Sequence, residues 1–172
     1  MYYDLRVATI QDAEAVSELL RASYPRLMRS AYEEEVLSPA LQVMTKANPS
    51  LLSSGKFYLA ILPTGLVVGC GGWSPEQPGK ETVEQRLGHV RHFAVHPDWT
   101  RRGIGRSVFT VCVRAACAAG LMTFECNSSL NAEKFYRALG FVRIREIDIE
   151  LKPSLMLRGV LMRRNIYEDL VS

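Results

Sequence analysis

Apolar positions along the chain follow two rhythms, one of period two and one near 3.6, and the changes between them mark the elements. Residues 5–8 read as a short strand. Thr9, with Asp12 three residues on, makes a capping-box-like helix start. Ala13, Val16, Leu19 and Leu20 then recur on one helical face, and Pro25 is expected to close that helix. Across 26–54 the helical runs AYEEEVL and ALQVM are interrupted by Pro39, which predicts a broken second helix and loops. Residues 56–62 and 66–73 read as two strands joined by Pro63-Thr64-Gly65, a hairpin turn. Glycines 69, 71 and 72 in the second strand mark the close approach of a bulge or a ligand. Residues 74–88 are polar, with Pro75 and Pro78, and read as a loop before a central strand over 89–96.

After a glycine-spaced turn, Ile104, Val108, Val111, Cys112, Ala115 and Ala119 fall at helical spacing, and Gly120 ends that helix. A strand over 121–126, a helix over 129–139 capped by Gly140, and a hairpin of 141–151 with 155–166 complete the chain. A strand-helix-strand crossover with hairpins on both sides predicts an α/β (α+β) fold. Its sheet is mixed, with about seven strands and helices on its faces. No linker or repeat interrupts it, so residues 1–172 are expected to form a single domain.

Composition narrows the function classes. An apolar content of 48% with 23% charged residues is that of a soluble globular protein, and no run is long enough to span a membrane. The net charge of +3 comes from local clusters rather than a basic stripe with aromatics, which argues against nucleic acid. Cys70, Cys112, Cys117 and Cys126 sit in apolar stretches with no metal-ligand spacing. They read as buried free thiols in a cytoplasmic protein, and no metal site is expected.

The chemistry concentrates in VRHFAVHPDWTRRGIGRSV, residues 90–108. An apolar strand ends at His96-Pro97-Asp98, a basic turn follows, and a helix begins. Such a turn holds phosphate, because glycine lets the backbone approach and the first helical N–H groups point at the anion. A P-loop would need Lys and then Ser or Thr at a longer spacing, and a dinucleotide fingerprint would need glycine where Val108 stands. The turn resembles motif A of the GNAT superfamily of N-acetyltransferases, Arg/Gln-x-x-Gly-x-Gly/Ala. Thr100 occupies the leading position, so Arg101 or Arg102 would carry the charge. A second run, Ser129-Leu130-Asn131-Ala132-Glu133-Lys134-Phe135-Tyr136-Arg137-Ala138-Leu139-Gly140-Phe141, resembles the family's motif B. Ala132, Phe135, Tyr136, Gly140 and Phe141 stand at its spacings, while Ser129 replaces its leading Asn and Asn131 lies two places on.

The resemblance implies a mostly antiparallel GNAT-like sheet, split between its fourth and fifth strands, and acetyl-CoA as co-substrate. Arg101, Arg102, Gly103, Ile104, Gly105 and Arg106 would cradle the pyrophosphate. Backbone groups of Phe93, Ala94 and Val95 would bond the pantetheine arm as another strand would, with Ser129, Asn131, Ala132 and Tyr136 on its far side. The implied activity is direct transfer of acetyl to an amine of a small molecule or peptide. A coenzyme-A-binding sensor of the same fold without turnover is the alternative. A homodimer through the terminal hairpin is left open.

Tyr136 matches the family's proton-donating tyrosine. For the base, His89 falls where some members carry a Glu before the central strand, and its reference pKa of about 6.5 suits the role. His92, Arg91, the loop residues Glu81 and Glu84, or water are rivals. On an extended strand His89, Arg91 and Phe93 would face one way and Val90 and His92 the other. Trp73 and Trp99 read as packing residues, with Trp73 near the acceptor side.

Overall fold

The computed structural model describes residues 2–170. Seven strands form one sheet: β1 (Asp4–Val7), β2 (Phe57–Ile61), β3 (Val67–Ser74), β4 (Leu87–Val95), β5 (Thr123–Ser129), β6 (Val142–Lys152) and β7 (Leu155–Asn165). Their order is β1-β2-β3-β4-β5-β7-β6. Every pairing is antiparallel except β4 with β5, which are joined by the crossover helix α4 (Ile104–Ala118). Every residue of β3 is buried, because helices cover both faces of the sheet at its centre. On one face α4 packs Ile104, Val108, Phe109 and Cys112 against Tyr58, Val68 and Val90. On the other, α1 (Ala13–Met28) and α3 (Pro49–Leu52) bury Val16, Leu20 and Leu52 against Phe57, Leu59 and Ala94. Helix α2 (Glu34–Met44) closes a smaller cluster with Met28 and Leu157.

Two prolines expected to break helices lie inside them. Pro25 sits within α1 and Pro39 within α2. A proline in a helix interior costs roughly 3 kcal/mol. Burying a large apolar side chain returns about 1.5–3 kcal/mol, and Met28 lies beyond Pro25 while Leu37 and Ala40 flank Pro39, all buried. Packing therefore carries each helix through its proline. The start of α1 follows the sequence more closely: the Asp12 carboxylate accepts from Thr9 N at 2.7 Å and from both terminal nitrogens of Arg6.

Two features of β4 shape the centre of the molecule. Its parallel pairing with β5 covers only Leu87↔Thr123, Gly88↔Phe124 and His89↔Glu125. Beyond that, β4 continues against β3 and β5 against β7, so the two halves of the sheet part company. Second, Cys70 faces Ala94 while Gly72 faces Arg91, so that His92 and Phe93 together oppose Gly71. This is a bulge, with His92 in the left-handed region at φ 50°. The extra residue breaks the alternation expected of an extended strand. Phe93 lies on the same face as Val90, packed on the α4 cluster, while Ala94 joins the opposite cluster.

Candidate active site

The glycine turn is a left-handed corner followed by an open helix end. Arg101 at φ 61° and Gly103 at φ 79° turn the chain, and α4 starts at Ile104. Ser107 N is bonded to Gly103 O at 2.9 Å, so Ile104, Gly105 and Arg106 lie in the first turn, where N–H groups have no intrahelical acceptor. At Gly105 a Cβ would stand 2.8 Å from the Phe135 ring, so this glycine lets α5 (Glu133–Ala138) pack against the turn. The three arginines separate. Arg102 lies over the Trp99 ring at 4.7 Å, Arg106 donates to Ala138 O at 3.0 Å, and Arg101 is exposed. His96 Nδ1 accepts from Asp98 N, and Arg26 pairs with Asp98 at 3.0 Å, which ties the loop after β4 to α1.

The parting of β4 from β5 opens a cleft of about 1650 Å³ that runs from this turn to the far end of α1. Phe93, Ala94 and Val95 line it from β4, and Ser129, Asn131, Ala132 and Tyr136 from the opposite side. The Asn131 Oδ1 atom is buried with no hydrogen-bond partner among the described residues. An orphaned acceptor of that kind is costly unless something else bonds it. Tyr136 is buried against Phe93, Phe135 and Phe141, with ring centroids 6.4, 5.1 and 5.5 Å away. Its hydroxyl shares a hydrogen bond with the Cys126 thiol, and burial first, then Cys126, drives its pKa well up. The phenol therefore holds its proton throughout the neutral range.

Tyr24 is a cleft residue that the sequence did not single out. It stands on α1 and donates to Phe93 O at 3.1 Å, using one backbone acceptor of the open strand edge. Burial raises its pKa as well. In sequence it is one more apolar-face residue just before a proline, 69 positions from its partner, and no local pattern marks it.

His89 and His92 both line the cleft. His89 is buried, and burial lowers its pKa against the opposing pull of Glu125, its register partner on β5. Glu125 is itself held by Arg163, at 3.1 Å from Nε and 2.5 Å from a terminal nitrogen. His92 is pushed down to about 4, by burial and then by Arg91. Arg91 reaches Ser74 Oγ at 2.9 Å. Glu81 and Glu84 are exposed in the preceding loop, and Glu84 acts on His89 only through its charge. Trp73 is a core residue beside Phe124 at 6.3 Å, while Trp99 lines the cleft and carries Arg102. All four cysteines are free and buried. Among the described residues no cluster of metal-ligating side chains occurs, and no helix is long and apolar enough to cross a membrane.

The residues present suit coenzyme A. The turn offers helix N–H groups, β4 an edge that β5 has left and of which Tyr24 takes one carbonyl, and Asn131 a buried acceptor in need of a donor. No curated protein matches the chain. Solved structures share its fold. The GCN5-related N-acetyltransferase from Rhodopseudomonas palustris has a TM-score of 0.76 at 22% identity over 96% of both chains. The PaiA N-acetyltransferase from Thermoplasma acidophilum, solved in complex with coenzyme A, has a TM-score of 0.70 at 15% identity over 96% of this chain and 99% of its own. The yncA protein from Salmonella typhimurium, solved with acetyl-CoA, has a TM-score of 0.62 at 15% identity over 96% of this chain and 95% of its own. The family model of the acetyltransferase (GNAT) domain matches residues 29–151, and the chain belongs to that family.

Proposed function

We propose that residues 1–172 form one acetyltransferase domain, which transfers the acetyl group of acetyl-CoA directly to an amine. The observation that carries the reading is the split between β4 and β5, with a buried, protonated tyrosine on one side of it and a half-free strand edge on the other. Bound acetyl-CoA supplies the thioester whose carbonyl carbon the amine attacks. The turn from Arg101 to Arg106 holds the pyrophosphate through backbone N–H groups and the Arg101 charge. Backbone groups of Phe93 to Val95 take the pantetheine arm, and Asn131, with Ser129 and Ala132 beside it, bonds it from the far side.

An acceptor amine arrives protonated near neutral pH and must lose that proton. His89 takes it, directly or through a water, because burial keeps the imidazole neutral and able to accept. As the carbon–sulfur bond breaks, the Tyr136 hydroxyl donates its proton to the departing sulfur, and the second proton shed by the acylated nitrogen restores the phenol through water, leaving the proton on His89 to be released to solvent. Four buried free thiols suit a reducing compartment, and we place the protein in the cytoplasm.

Two measurements test the reading. Coenzyme A at about 100 times its dissociation constant should stabilise the protein by about 2.7 kcal/mol, since it binds the folded state alone. Acetyl-CoA should be consumed in the presence of an amine panel, and Tyr136→Phe should slow turnover without weakening coenzyme binding. Binding without acetylation of any amine would favour a coenzyme-A sensor. No binding would remove the proposal.

A further inference from the structure

The cleft contains a cation that the acetyl-transfer reading leaves without a task. Arg91 lies on β4 two residues past His89, and alternation puts both on the face opposite Val90. It is half-buried and lines the cleft. Its one side-chain hydrogen-bond partner among the described residues is Ser74 Oγ at 2.9 Å, whose own proton goes to Glu76 O at 2.8 Å. Among the described residues no carboxylate lies within ion-pair distance of it. The Glu76 side chain is exposed and acts on Arg91 only through its charge. Burial works against the guanidinium, which stays charged in proteins all the same.

A half-buried guanidinium with one neutral protein partner keeps donors to spare for an anion that enters the cleft. Two exposed cations also line the cleft, Lys46 following α2 and Lys80 in the loop after β3, and neither has an ion pair among the described residues. Of the cleft's carboxylates, the one on the strand facing His89 is already held. Glu125 is bound by Arg163, and Asp148 and Glu150 of β6 share their strand with Arg145 and Lys152.

The geometry points to Arg91 as the acceptor's carboxylate anchor, so that the substrate class is a short amine carrying a carboxylate, such as an amino acid. This rests on the acetyl-transfer reading and narrows it. A carboxylate matches the planar fork of arginine bidentately, which a point cation would not reward. Same-face residues on a strand are about 7 Å apart. With Arg91 on the carboxylate and His89 at the amine, two neighbouring side chains of one strand span a molecule of amino-acid length. Ser74 would keep the fork aimed by holding one of its nitrogens.

The test compares glycine, L-alanine, L-glutamate and L-phenylalanine, each against its own α-carboxamide, as acceptors for the full chain with acetyl-CoA. The amide has the less basic amine, which works against the proposed preference and makes the comparison strict. Wild type should favour at least one free acid over its amide by about 10- to 100-fold in kcat/KM, the range of a charge-assisted buried pair. Arg91→Gln should erase that preference and Arg91→Lys restore part of it, while coenzyme A still binds both variants. Equal use of acids and amides by wild type would overturn the proposal with acetyl transfer intact, and so would a preference that survives in Arg91→Gln. The wild-type comparison decides even if a variant fails to fold. Should no acceptor turn over, calorimetric titration of the same pairs into coenzyme-A-loaded protein settles the point, since tighter binding of the acid supports the anchor and equal or absent binding overturns it. Failure to bind coenzyme A would instead remove the reading beneath it.

Discussion

Gly71→Ala should damage both the core and the cofactor cleft, and the structure sets the size of the effect. A Cβ at position 71 would lie 2.5–2.6 Å from three carbons of the Phe93 ring. Carbon atoms pack at roughly 3.5–4.0 Å, so the ring must retreat by about 1 Å. Phe109, Phe135 and Tyr136 hold it on three sides with centroids 6.2, 6.3 and 6.4 Å away, so it can yield only into the cleft that it lines. Overpacking costs about 1–3 kcal/mol, and an overlap of about 1 Å with a ring held on three sides places this one near the top of that range. For a chain of this size that lowers the melting temperature by roughly 6–12 °C. Phe93 also belongs to the strand edge proposed to bond the pantetheine arm, so acetyl-CoA should bind more weakly. Thermal unfolding with and without coenzyme A reads both effects. Adding Phe93→Leu should recover part of the loss, because the smaller side chain vacates the space, a coupling of about 1–2 kcal/mol. A melting point within about 2 °C of wild type, with unchanged coenzyme affinity, would refute the packing argument.

Three other outcomes are expected. Tyr136→Phe should cut kcat by about 100-fold, the usual worth of a positioned acid, and leave coenzyme affinity alone; a loss below about threefold would dismiss the hydroxyl as donor. For wild type, kcat/KM should rise with pH through a midpoint below the reference value of about 6.5 and be level near neutrality, because burial lowers the pKa of His89. That limb should vanish in His89→Gln, and a limb unchanged in the variant would assign the base elsewhere. His92 holds its proton only below about 4 when folded, so the unfolded chain binds more protons between there and about 6.5. Stability from its neutral form is complete above the upper value and falls as pH drops through the window, by up to about 3 kcal/mol. His92→Asn keeps a residue tolerant of the left-handed conformation and should flatten the urea midpoint between pH 4.5 and 7.5; an equally steep dependence in the variant would count against this assignment.

What the sequence revealed and what it hid divide by range. The turn and α5 were legible because their signals are local: two glycines at the start of an apolar helix, and Phe135, Tyr136, Gly140 and Phe141 at fixed offsets. The two hairpins and the crossover helix were legible from spacing, whereas the insertion of β7 between β5 and β6 was not. Pro25 and Pro39 misled because propensity is a local cost, whereas the burial that overrides it comes from distant partners. Tyr24 was invisible for the same reason. The strand glycines were correctly marked as points of close approach, but the sequence did not say of what. At Gly71 the visitor is Phe93 from the neighbouring strand, and that contact exists only because of a bulge set by pairing between strands some twenty residues apart.

That bulge ties the fold to the site. Without it, Phe93 would share a face with His89 and Arg91, and strict alternation would leave either the α4 cluster without its central ring or the cleft without its polar groups. The extra residue at His92 lets one strand do both. His89 and Arg91 stay on one face, Phe93 turns to the other, and Val90 keeps its place in the core. A bulge also strengthens local twist. It falls just after the last parallel pair, His89↔Glu125, where β4 begins to leave β5. The same irregularity that rotates Phe93 inward therefore helps turn β4 out of its ladder and expose the edge that the cofactor reading requires. Tyr24 from α1 and the Phe135–Tyr136 pair from α5 then brace that stretch of β4 from either side, through Phe93 O and the Phe93 ring. The strain of a left-handed histidine is borne where both the core contact and the open edge depend on it, which is where strain in a native fold is expected to persist.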